Sequence, residues 1–350
     1  LLSGTPFDTV PTFLLKMMGI IKSPFTYVKG RYGAREAVLT EEGLDEMIDY
    51  CYNLDEKETD RVIEEGHTGT ELLSELYFEV FQKAVMGSMI APPPPQGEVT
   101  IKNGFFLCSA KASLFLRTAV EDMKQLLSLD KGGQMKISKG QIGAFTKLQV
   151  MIERIKVPSM ARVAMEELEK DPRLKVVIAI NYNESCTRLL TLLSKYQPKV
   201  IMGSVEERDR AAAVKQFSTN PAVRVVVMNV TLGVGISLYN DNSTTDPRLM
   251  LLSPCYRAIS ITQTASRIYG PGMCSTAKVR LFYCQGEGEG ESKINTGLMA
   301  SVRDKSEVIK RALDDQLQER TILPCDYPNE EEVGKVPLDR EDEWVFLEGK

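Results

Sequence analysis

Histidine is nearly absent from the 350-residue sequence, and the scattered cysteines form no C-x-x-C pair. Zinc sites are built mainly from clustered cysteine and histidine ligands, so this scarcity argues against a zinc centre, and no metal ligands are predicted. The single histidine, His67, lies in the Gly/Thr-rich stretch "EEGHTGTE", which indicates a loop. The scattered cysteines are typical of reduced thiols, so an intracellular, reducing location is expected.

Long apolar runs and an excess of positive charge are missing as well. No run approaches the roughly 18–20 apolar residues that span a bilayer, so no membrane partner is predicted. The net charge of −5 gives no global case for nucleic-acid binding, and any such site must be a local patch. A hydrophobic fraction of 43% and a charged fraction of 26% are ordinary for a globular protein. The length allows two or three domains of roughly 100–200 residues each.

The sequence also lacks an initiator methionine and a signal peptide. It opens on "LLSGTPFD", an apolar strand end that runs into a turn. We interpret this opening as a position inside a domain, so the chain is expected to be a fragment. Residues 1–28 are accordingly assigned to the end of a first domain.

Residues 29–144 are predicted to form a mainly helical insertion. The acidic segments "EEGLDEMIDYCYNL" and "TELLSELYFEVFQKAVMGSM" carry apolar residues at three- and four-residue spacing, which is typical of amphipathic helices. Four consecutive prolines predict an extended linker at 92–97. The stretch "EVTIKNGFFLCS" is interpreted as a hairpin around Asn103-Gly104.

Residues 145–285 have a different character, in which short apolar, β-branched runs alternate with helical patterns. The runs are "KVVIAI", "KVIMG", "VRVVVMN", "RLMLLS" and "KVRLFYC". Such alternation predicts an α/β domain with a parallel sheet covered by helices on both faces. Its first helix is expected to begin after Pro158. Residues 286–350 are predicted to form a further helix and an acidic tail.

Ligands of open α/β sheets gather at the loops after the carboxyl ends of the strands, and three such loops are distinctive. In "NVTLGVGISL", Gly233 and Gly235 allow the backbone to approach a phosphate closely. A dinucleotide fingerprint fails there because Leu238 occupies the third glycine position. A plain strand-to-helix turn is the alternative.

The other two loops carry polar side chains. In "QTASRIYG", Gln263 and Arg267 are four residues apart and share a helix face, from which an arginine can stabilise a transferring phosphoryl group. The alternative is a solvated helix face. In "GSVEERDRAAAVKQF", Gly203 and Ser204 follow a strand, and Ser204 with Glu207 has the spacing of a capping box. Backbone amides there can hold a phosphodiester oxygen, and plain capping is compatible with that role.

Read in order, these stretches resemble the second RecA-like domain of superfamily 2 helicases and translocases. "LLSGTP" is similar to motif III of that family, "VVIAINY" to motif IV, "TLGVGISL" to motif V and "QTASRIYGPG" to motif VI. "SGTP" and "GVGISL" lie close to the Swi/Snf-type branch. "GISLYNDNSTTDPRLMLLSPCY" and "ILPCDYP" are similar to DEAD-like helicases of large nucleocytoplasmic DNA viruses, which implies a virion or the host cytoplasm or nucleus.

The resemblance implies a site for ATP and Mg²⁺ between two RecA-like domains. In the family, the first domain supplies the P-loop lysine and the acidic motif that holds magnesium. No G-x-x-x-x-G-K-[ST] stretch occurs in this sequence. The resemblance therefore implies that both elements precede residue 1, and that the chain alone does not hydrolyse ATP.

The family's functional positions carry over to particular residues. Gln263 and Arg267 would face the nucleotide phosphates, and Gly235 would approach the nucleotide. The nucleic-acid backbone would contact a second set: Thr231, Gly203 and Ser204. A third set would couple the ATP site to the nucleic-acid track: Ser3, Gly4 and Thr5. If the resemblance holds, Arg267 and the "TLGVGIS" turn line a common groove.

Gly270 departs from the family pattern Q-x-x-x-R-x-x-R, in which the second arginine is commonly the finger at the γ-phosphate. Losing an arginine finger costs roughly 10³–10⁵ in rate. Three explanations stay open. Arg267 alone suffices, residue 270 is a variant of arginine, or the motor is catalytically weak and acts by binding.

Two functions are therefore compared. The first is the C-terminal part of an ATP-dependent helicase or translocase on nucleic acid, with DNA favoured over RNA. The alternative is a non-catalytic nucleic-acid-binding or scaffold protein with a decayed ATPase site, which Gly270 and the acidic region 30–90 favour. A Rossmann oxidoreductase is disfavoured by Leu238 and by the lack of a hydride-transfer residue set. The oligomeric state has no signature in the sequence.

Overall fold

A computed structural model describes the larger part of the chain. The described residues are 27–29, 35–37, 41–81, 97–107, 114, 118, 122, 127–129, 135–137, 142–232, 236–239, 246–270, 273–285, 293–311 and 323–328. The chain forms two compact units, one of residues 1–92 with 303–325 and one of residues 93–302 with 326–350. Within the described ranges, no helix combines the length and the apolar character that a bilayer span needs.

The first unit contains a short antiparallel strand pair and a group of acidic helices. The strands are β1 (Tyr27–Lys29) and β2 (Arg35–Ala37). The helices are α1 (Glu41–Leu54), α2 (Glu56–Glu64) and α3 (Gly69–Glu75), which continues as a π-helical turn at Leu76–Phe81. The carboxylate of Asp55 caps α2 by accepting the Glu58 N–H at 3.0 Å. The predicted helical segment 41–54 is confirmed, and the segment that begins at Thr70 is confirmed as far as Phe81, beyond which it lies outside the described residues.

The second unit is built on a single sheet of six strands. Its strands are β3 (Val99–Leu107), β6 (Lys175–Ile180), β7 (Lys199–Ile201), β8 (Val225–Asn229), β9 (Arg248–Leu252) and β10 (Ala277–Gln285). A separate antiparallel pair consists of β4 (Leu127–Leu129) and β5 (Met135–Ile137). The spatial order of the sheet is β3-β10-β9-β6-β8-β7, and every neighbouring pair is parallel. The predicted α/β class with a parallel sheet is confirmed.

Helices flank this sheet because its central strands are apolar after their first residue and must be covered on both faces. The helices are α4 (Ile142–Lys170), α5 (Asn183–Leu192), α6 (Glu207–Thr219) and α7 (Ala258–Ala265). A last helix, α8 (Lys293–Arg311), begins in this unit, and its residues from Arg303 onward belong to the first unit. Every residue of β6 and β9 is buried, so both faces of each strand are covered. Burial of each Val, Leu or Ile contributes about 1.5–3 kcal/mol, which makes the central strands the main apolar core of the unit.

The stretch around Asn103-Gly104 is not a hairpin, and that prediction was wrong. Residues 99–107 form one continuous edge strand that pairs in parallel with β10, although they lie in the range predicted to be an insertion. Asn103 is buried within the strand, and its amide donates a hydrogen bond to the Tyr327 carbonyl at 3.1 Å. A partner distant in sequence therefore outweighs the local turn preference of Asn-Gly.

The helix before β6 does not begin after Pro158, as the sequence had suggested. Helix α4 begins at Ile142 and continues through the proline. A proline inside a helix removes one backbone hydrogen bond and costs about 3 kcal/mol. Val157, Met160 and Ala161, which flank Pro158 in the sequence, are almost completely buried in the core that α4 forms with the sheet. Burial of these side chains offsets the cost, so the helix is not interrupted.

Candidate functional site

The strand order places a cleft where β6 and β9 lie side by side. From β6 the chain proceeds to β7 and β8 on one side, whereas from β9 it proceeds to β10 on the other. Parallel sheets bind ligands outside the carboxyl ends of their strands at such a switch point. A cleft of about 480 Å³ lies here. Its walls are Phe145, Gln149, Ile152, Glu153, Lys156, Asn181, Tyr182, Thr231, Ser253, Pro254, Cys255, Tyr256, Arg257, Ser260 and Leu298.

A buried carboxylate, that of Glu153, fixes the floor of this cleft. Its oxygens accept the backbone N–H of Asn181 at 2.9 Å and that of Tyr182 at 3.0 Å. The Asn181 side-chain amide donates to the same carboxylate at 2.7 Å and to the Ser253 carbonyl at 3.1 Å. Glu153 on α4 therefore holds the loop after β6, and Asn181 ties that loop to the one after β9. Glu153 was not predicted from the sequence, where its signal was the one acid in the stretch "VMIERIKV".

The walls of the cleft combine positive charge with aromatic rings. The ammonium of Lys156 is buried 3.5 Å from the Ser253 hydroxyl, whereas Arg257 is exposed. The rings of Phe145 and Tyr256 lie 6.5 Å apart. Burial raises the pKa of the Tyr256 phenol, which therefore stays protonated at neutral pH. Cationic groups with aromatic surfaces suit a ligand that carries both phosphate and a planar base.

Of the residues predicted to contact nucleic acid, the structure brings Thr231 to this cleft. Thr231 is exposed after β8, and its hydroxyl and N–H both donate to Asn229 Oδ1, at 2.6 and 2.8 Å. Gly203 and Ser204 are exposed beyond the edge strand β7 and are not among the cleft walls. The predicted contacts are therefore split between two places on the sheet.

The capping box predicted for Ser204 and Glu207 is wrong. Helix α6 begins at Glu207, and its N-cap is Glu206, which makes no side-chain capping bond. Ser204 lies instead in a turn in which the Val205 N–H donates to the Met202 carbonyl at 3.1 Å. This turn lies between the strand and the helix, so the helix begins later than the spacing suggested.

Arg267 lies against the segment that follows the "TLGVGIS" glycines. Its Nη1 donates to the Ile236 carbonyl at 3.2 Å, and its own carbonyl accepts the Leu238 N–H at 2.7 Å. Its Nε donates to the Gln263 carbonyl at 2.7 Å, so Gln263 acts here through its backbone. Thr264 adds a hydrogen bond from its hydroxyl to the Val230 carbonyl at 3.1 Å. Two stretches more than twenty residues apart are thereby packed together, and Thr264 ties the second to the residue that follows β8.

The electrostatic setting of Arg267 is that of a half-buried cation. Burial lowers the pKa of Arg267, and the nearby phenols of Tyr269 and Tyr239 act in the opposite direction. Burial raises the pKa of Tyr269, which Arg267 lowers in part. The guanidinium is charged at neutral pH because a free arginine has a pKa above 12.

The remaining predicted positions divide between buried and undescribed residues. Gly270, which follows Arg267 by three residues in the sequence, is buried. The four other predicted positions, which are Ser3, Gly4, Thr5 and Gly235, lie outside the described residues.

Comparisons with known proteins give structural neighbours only. No family model matches the chain, and no curated protein matches its sequence. The C-terminal part of the Fun30 ATPase domain is 14% identical over 64% of this chain and 99% of its own, with a TM-score of 0.37. The SWI2/SNF2 ATPase C-terminal domain of Sulfolobus solfataricus is 14% identical over 64% and 98%, with a TM-score of 0.37. The E. coli DEAD-box protein SrmB, solved with regulator of ribonuclease activity A, is 12% identical over 67% and 99%, with a TM-score of 0.32.

Proposed function

We propose that the chain contains the second RecA-like domain of a superfamily 2 helicase or translocase, which couples ATP hydrolysis to movement on nucleic acid. The observation that carries the proposal is the contact of Arg267 with the segment 236–238. It joins the two stretches that resemble motifs V and VI. The order of the motif-like stretches along the sequence supports the same assignment.

The described residues fit part of an ATP site. Arg267 is a half-buried cation suited to nucleotide phosphates. Among the described residues no group of three His, Cys, Asp or Glu is arranged to hold a metal ion. The sequence also contains no G-x-x-x-x-G-K-[ST] stretch. The proposal therefore assigns the phosphate-binding loop and the Mg²⁺ ligands to another RecA-like domain. This chain would contribute Arg267 and the turn that it holds.

The switch-point cleft is the proposed contact with the nucleic-acid track. Arg257 at its rim would contact a backbone phosphate, and the Thr231 hydroxyl would do the same by turning its proton away from Asn229 Oδ1, while Tyr182 and Tyr256 present ring surface to a base. Contacts of this kind carry little sequence information, so binding is expected to be sequence-nonspecific and to weaken with salt. The similarity of "GVGISL" to the Swi/Snf-type branch favours DNA as the track.

Binding of a labelled DNA oligonucleotide to the 350-residue chain tests the cleft assignment. Fluorescence anisotropy is measured across a salt series for the natural chain and for Arg257→Gln. Loss of one phosphate contact should weaken binding several-fold and reduce the slope of log K against log salt by about 0.7–0.9. The matched control is Arg162→Gln on the outer face of α4, where Arg162 pairs with Glu166 at 3.2 Å. Equal effects of the two substitutions would contradict the cleft assignment.

Nucleic-acid-stimulated ATP hydrolysis by the product of the complete reading frame tests the motor itself. Arg267→Ala should lower turnover by roughly 10³–10⁵ if this arginine stabilises the transferring phosphoryl group. A retained rate would reject that role, and a complete lack of stimulated ATPase in the natural protein would reject the motor.

A non-catalytic binding or scaffold protein is the second candidate, and one observation favours it. Two N–H groups of Arg267 already donate to the Gln263 and Ile236 carbonyls, and residue 270 offers no second guanidinium. Such a protein would bind DNA with the same affinity in the presence and absence of ATP, and the full reading-frame product would not hydrolyse ATP.

A further inference from the structure

The space beside Gly270 is filled by the ring of Tyr239. A Cβ added to Gly270 would lie 2.6 Å from Cε1, 2.8 Å from Cζ and 3.1 Å from Cδ1 of that ring. Carbon atoms in contact prefer a separation of about 3.5–4.0 Å, so even a methyl group does not fit without a shift of the ring. The two nearest atoms, Cε1 and Cζ, lie in the outer half of the Tyr239 ring, so room for a side chain requires the whole ring to turn away.

The backbone itself does not require a glycine at this position. Among the described glycines, Gly66 and Gly69 have the positive φ that disfavours other residues, whereas Gly270 does not. A side chain at 270 is therefore opposed by the packing of the Tyr239 ring and not by backbone strain. Gly203 provides the contrast, because a Cβ there would meet no atom within 4 Å.

Tyr239 is carried by the segment that Arg267 holds. The residue before it, Leu238, donates its N–H to the Arg267 carbonyl at 2.7 Å, and Arg267 Nη1 binds the Ile236 carbonyl at 3.2 Å. Residues 236–239 and 267–270 are thus joined by a backbone bond, a guanidinium bond and the contact between ring and glycine. Segment 236–239 therefore positions both the Tyr239 ring and the Arg267 guanidinium.

We propose that Tyr239 occupies the place of the side chain that the resembled pattern puts at position 270, so that the site is built for one arginine, Arg267. The identity of Arg267 as a phosphate-facing group rests on the proposed function, whereas the pairing of Tyr239 with Gly270 stands on packing alone. Gly270 is then matched to its neighbour, and it is neither a chance variant of arginine nor a sign of decay.

Thermal unfolding of the full chain tests the pairing through a double-substitution cycle. Gly270→Ala should lower the Tm by about 3–10 °C through overpacking, whereas the control Gly203→Ala should shift it by less than about 2 °C. In a Tyr239→Ala background, where the ring is gone, Gly270→Ala should cost nothing further. In a Tyr239→Phe background, which keeps the ring, the cost of Gly270→Ala should return.

Two results would overturn the pairing. One is an equally small effect of alanine at positions 270 and 203. The other is a cost of Gly270→Ala that persists after the ring is removed, because the clash would then lie elsewhere.

ATP turnover by the complete reading-frame product tests the consequence for the arginine. Gly270→Arg should lower turnover, and adding Tyr239→Ala should restore part of it by making room for the new side chain. A Gly270→Arg variant with raised turnover and an unchanged Tm would overturn the proposal. If no variant hydrolyses ATP while the Tm cycle behaves as expected, the proposed function fails and the pairing of Tyr239 with Gly270 stands.

Discussion

The two units of the chain place their charged side chains in opposite ways. Between residues 41 and 81 acidic residues far outnumber basic ones, and nearly all of them are exposed or half-exposed. In the sheet unit, several charged groups are almost completely buried: Glu153, Lys156, Lys175 and Arg248. An ionised group is stable inside a protein only where partners replace its water, so a buried charge marks a place where geometry is specified. The charges of the helical unit therefore make its surface acidic, whereas the buried charges of the sheet unit hold particular backbone and side-chain groups in place.

The amino ends of β6 and β9 give a second case of this contrast. Lys175 and Arg248 are paired in register, and both lie over the ring of Phe217, at 5.5 and 5.0 Å from its centroid. Burial lowers the pKa of both groups, that of Arg248 to about 10. Arg248 Nε donates to the Leu238 carbonyl at 3.2 Å, so this buried cation helps to fix the segment that carries Tyr239. A buried cation at the amino end of β9 thus helps to hold the segment that Arg267 contacts.

Removal of the Glu153 carboxylate should have the largest effect. Glu153→Ala leaves the Asn181 and Tyr182 backbone N–H groups without their acceptor, at about 1–3 kcal/mol for each buried donor. We expect a loss of about 3–5 kcal/mol in the free energy of unfolding measured in urea. Glu166→Ala on the same helix, an exposed pair with Arg162, should cost less than about 0.5 kcal/mol. If the two substitutions lowered the free energy of unfolding by similar amounts, buried charges with fixed partners would not differ from surface charges in their effect on stability.

Arg224 is a second charged residue with fixed partners in the sheet unit, and its removal should have a smaller effect on stability. Its guanidinium donates to the carbonyls of Leu168 at 2.7 Å, Asp171 at 2.6 Å and Leu174 at 3.1 Å. These carbonyls lie at the end of α4 and in the turn after it, where a cation also interacts favourably with the helix dipole. Arg224→Ala should cost about 2–3 kcal/mol in urea unfolding. A cost that vanishes in high salt would show that the arginine acts as a surface charge.

The central strands of the sheet were predictable from sequence because each is marked by its own apolar run. The runs "KVVIAI" and "RLMLLS" have continuous apolar centres, and strands covered on both faces need that composition. The stretches containing Thr231 and Arg267 were found because ligand loops follow such strands. Their mutual contact was only an expectation from family resemblance, since no local pattern encodes it.

Apart from the late start of α6, which a local turn explains, the unpredicted features depend on partners distant in sequence. Asn103-Gly104 reads as a turn, yet β10 and Tyr327 hold it in a strand. Pro158 reads as a helix start, yet core burial keeps α4 continuous. Glu153 looks like any glutamate on an amphipathic helix until the loop after β6 is placed above it. Gly270 is the sharpest case, because the reason for the glycine is a ring that lies thirty-one positions earlier in the sequence.

The helical unit has a buried titratable group of its own in Cys51, and it supplies the third prediction. Burial raises the pKa of the thiol from 9.0 to about 11. The folded state therefore holds the proton more tightly, so this contribution to stability is complete below pH 9 and is lost as the pH rises through about 11. The free energy of unfolding should fall by about 1–2 kcal/mol across that window. Cys51→Ala should remove this fall, whereas Cys274→Ala, at an exposed thiol, should leave it unchanged.

Arg61 should give the smallest effect, and it is the counterpart of Arg224. It also has three partners, but these are carboxylates on the surface: Glu58 at 2.8 Å, Glu65 at 2.5 Å and Glu79 at 3.5 Å. Water competes for exposed ion pairs and salt screens them, so Arg61→Ala should barely move the urea midpoint. Any shift should disappear in about 1 M NaCl, where the screening length falls to about 3 Å. An effect of Arg61→Ala as large as that of Arg224→Ala, and equally resistant to salt, would mean that the helical unit also holds charges in specified positions.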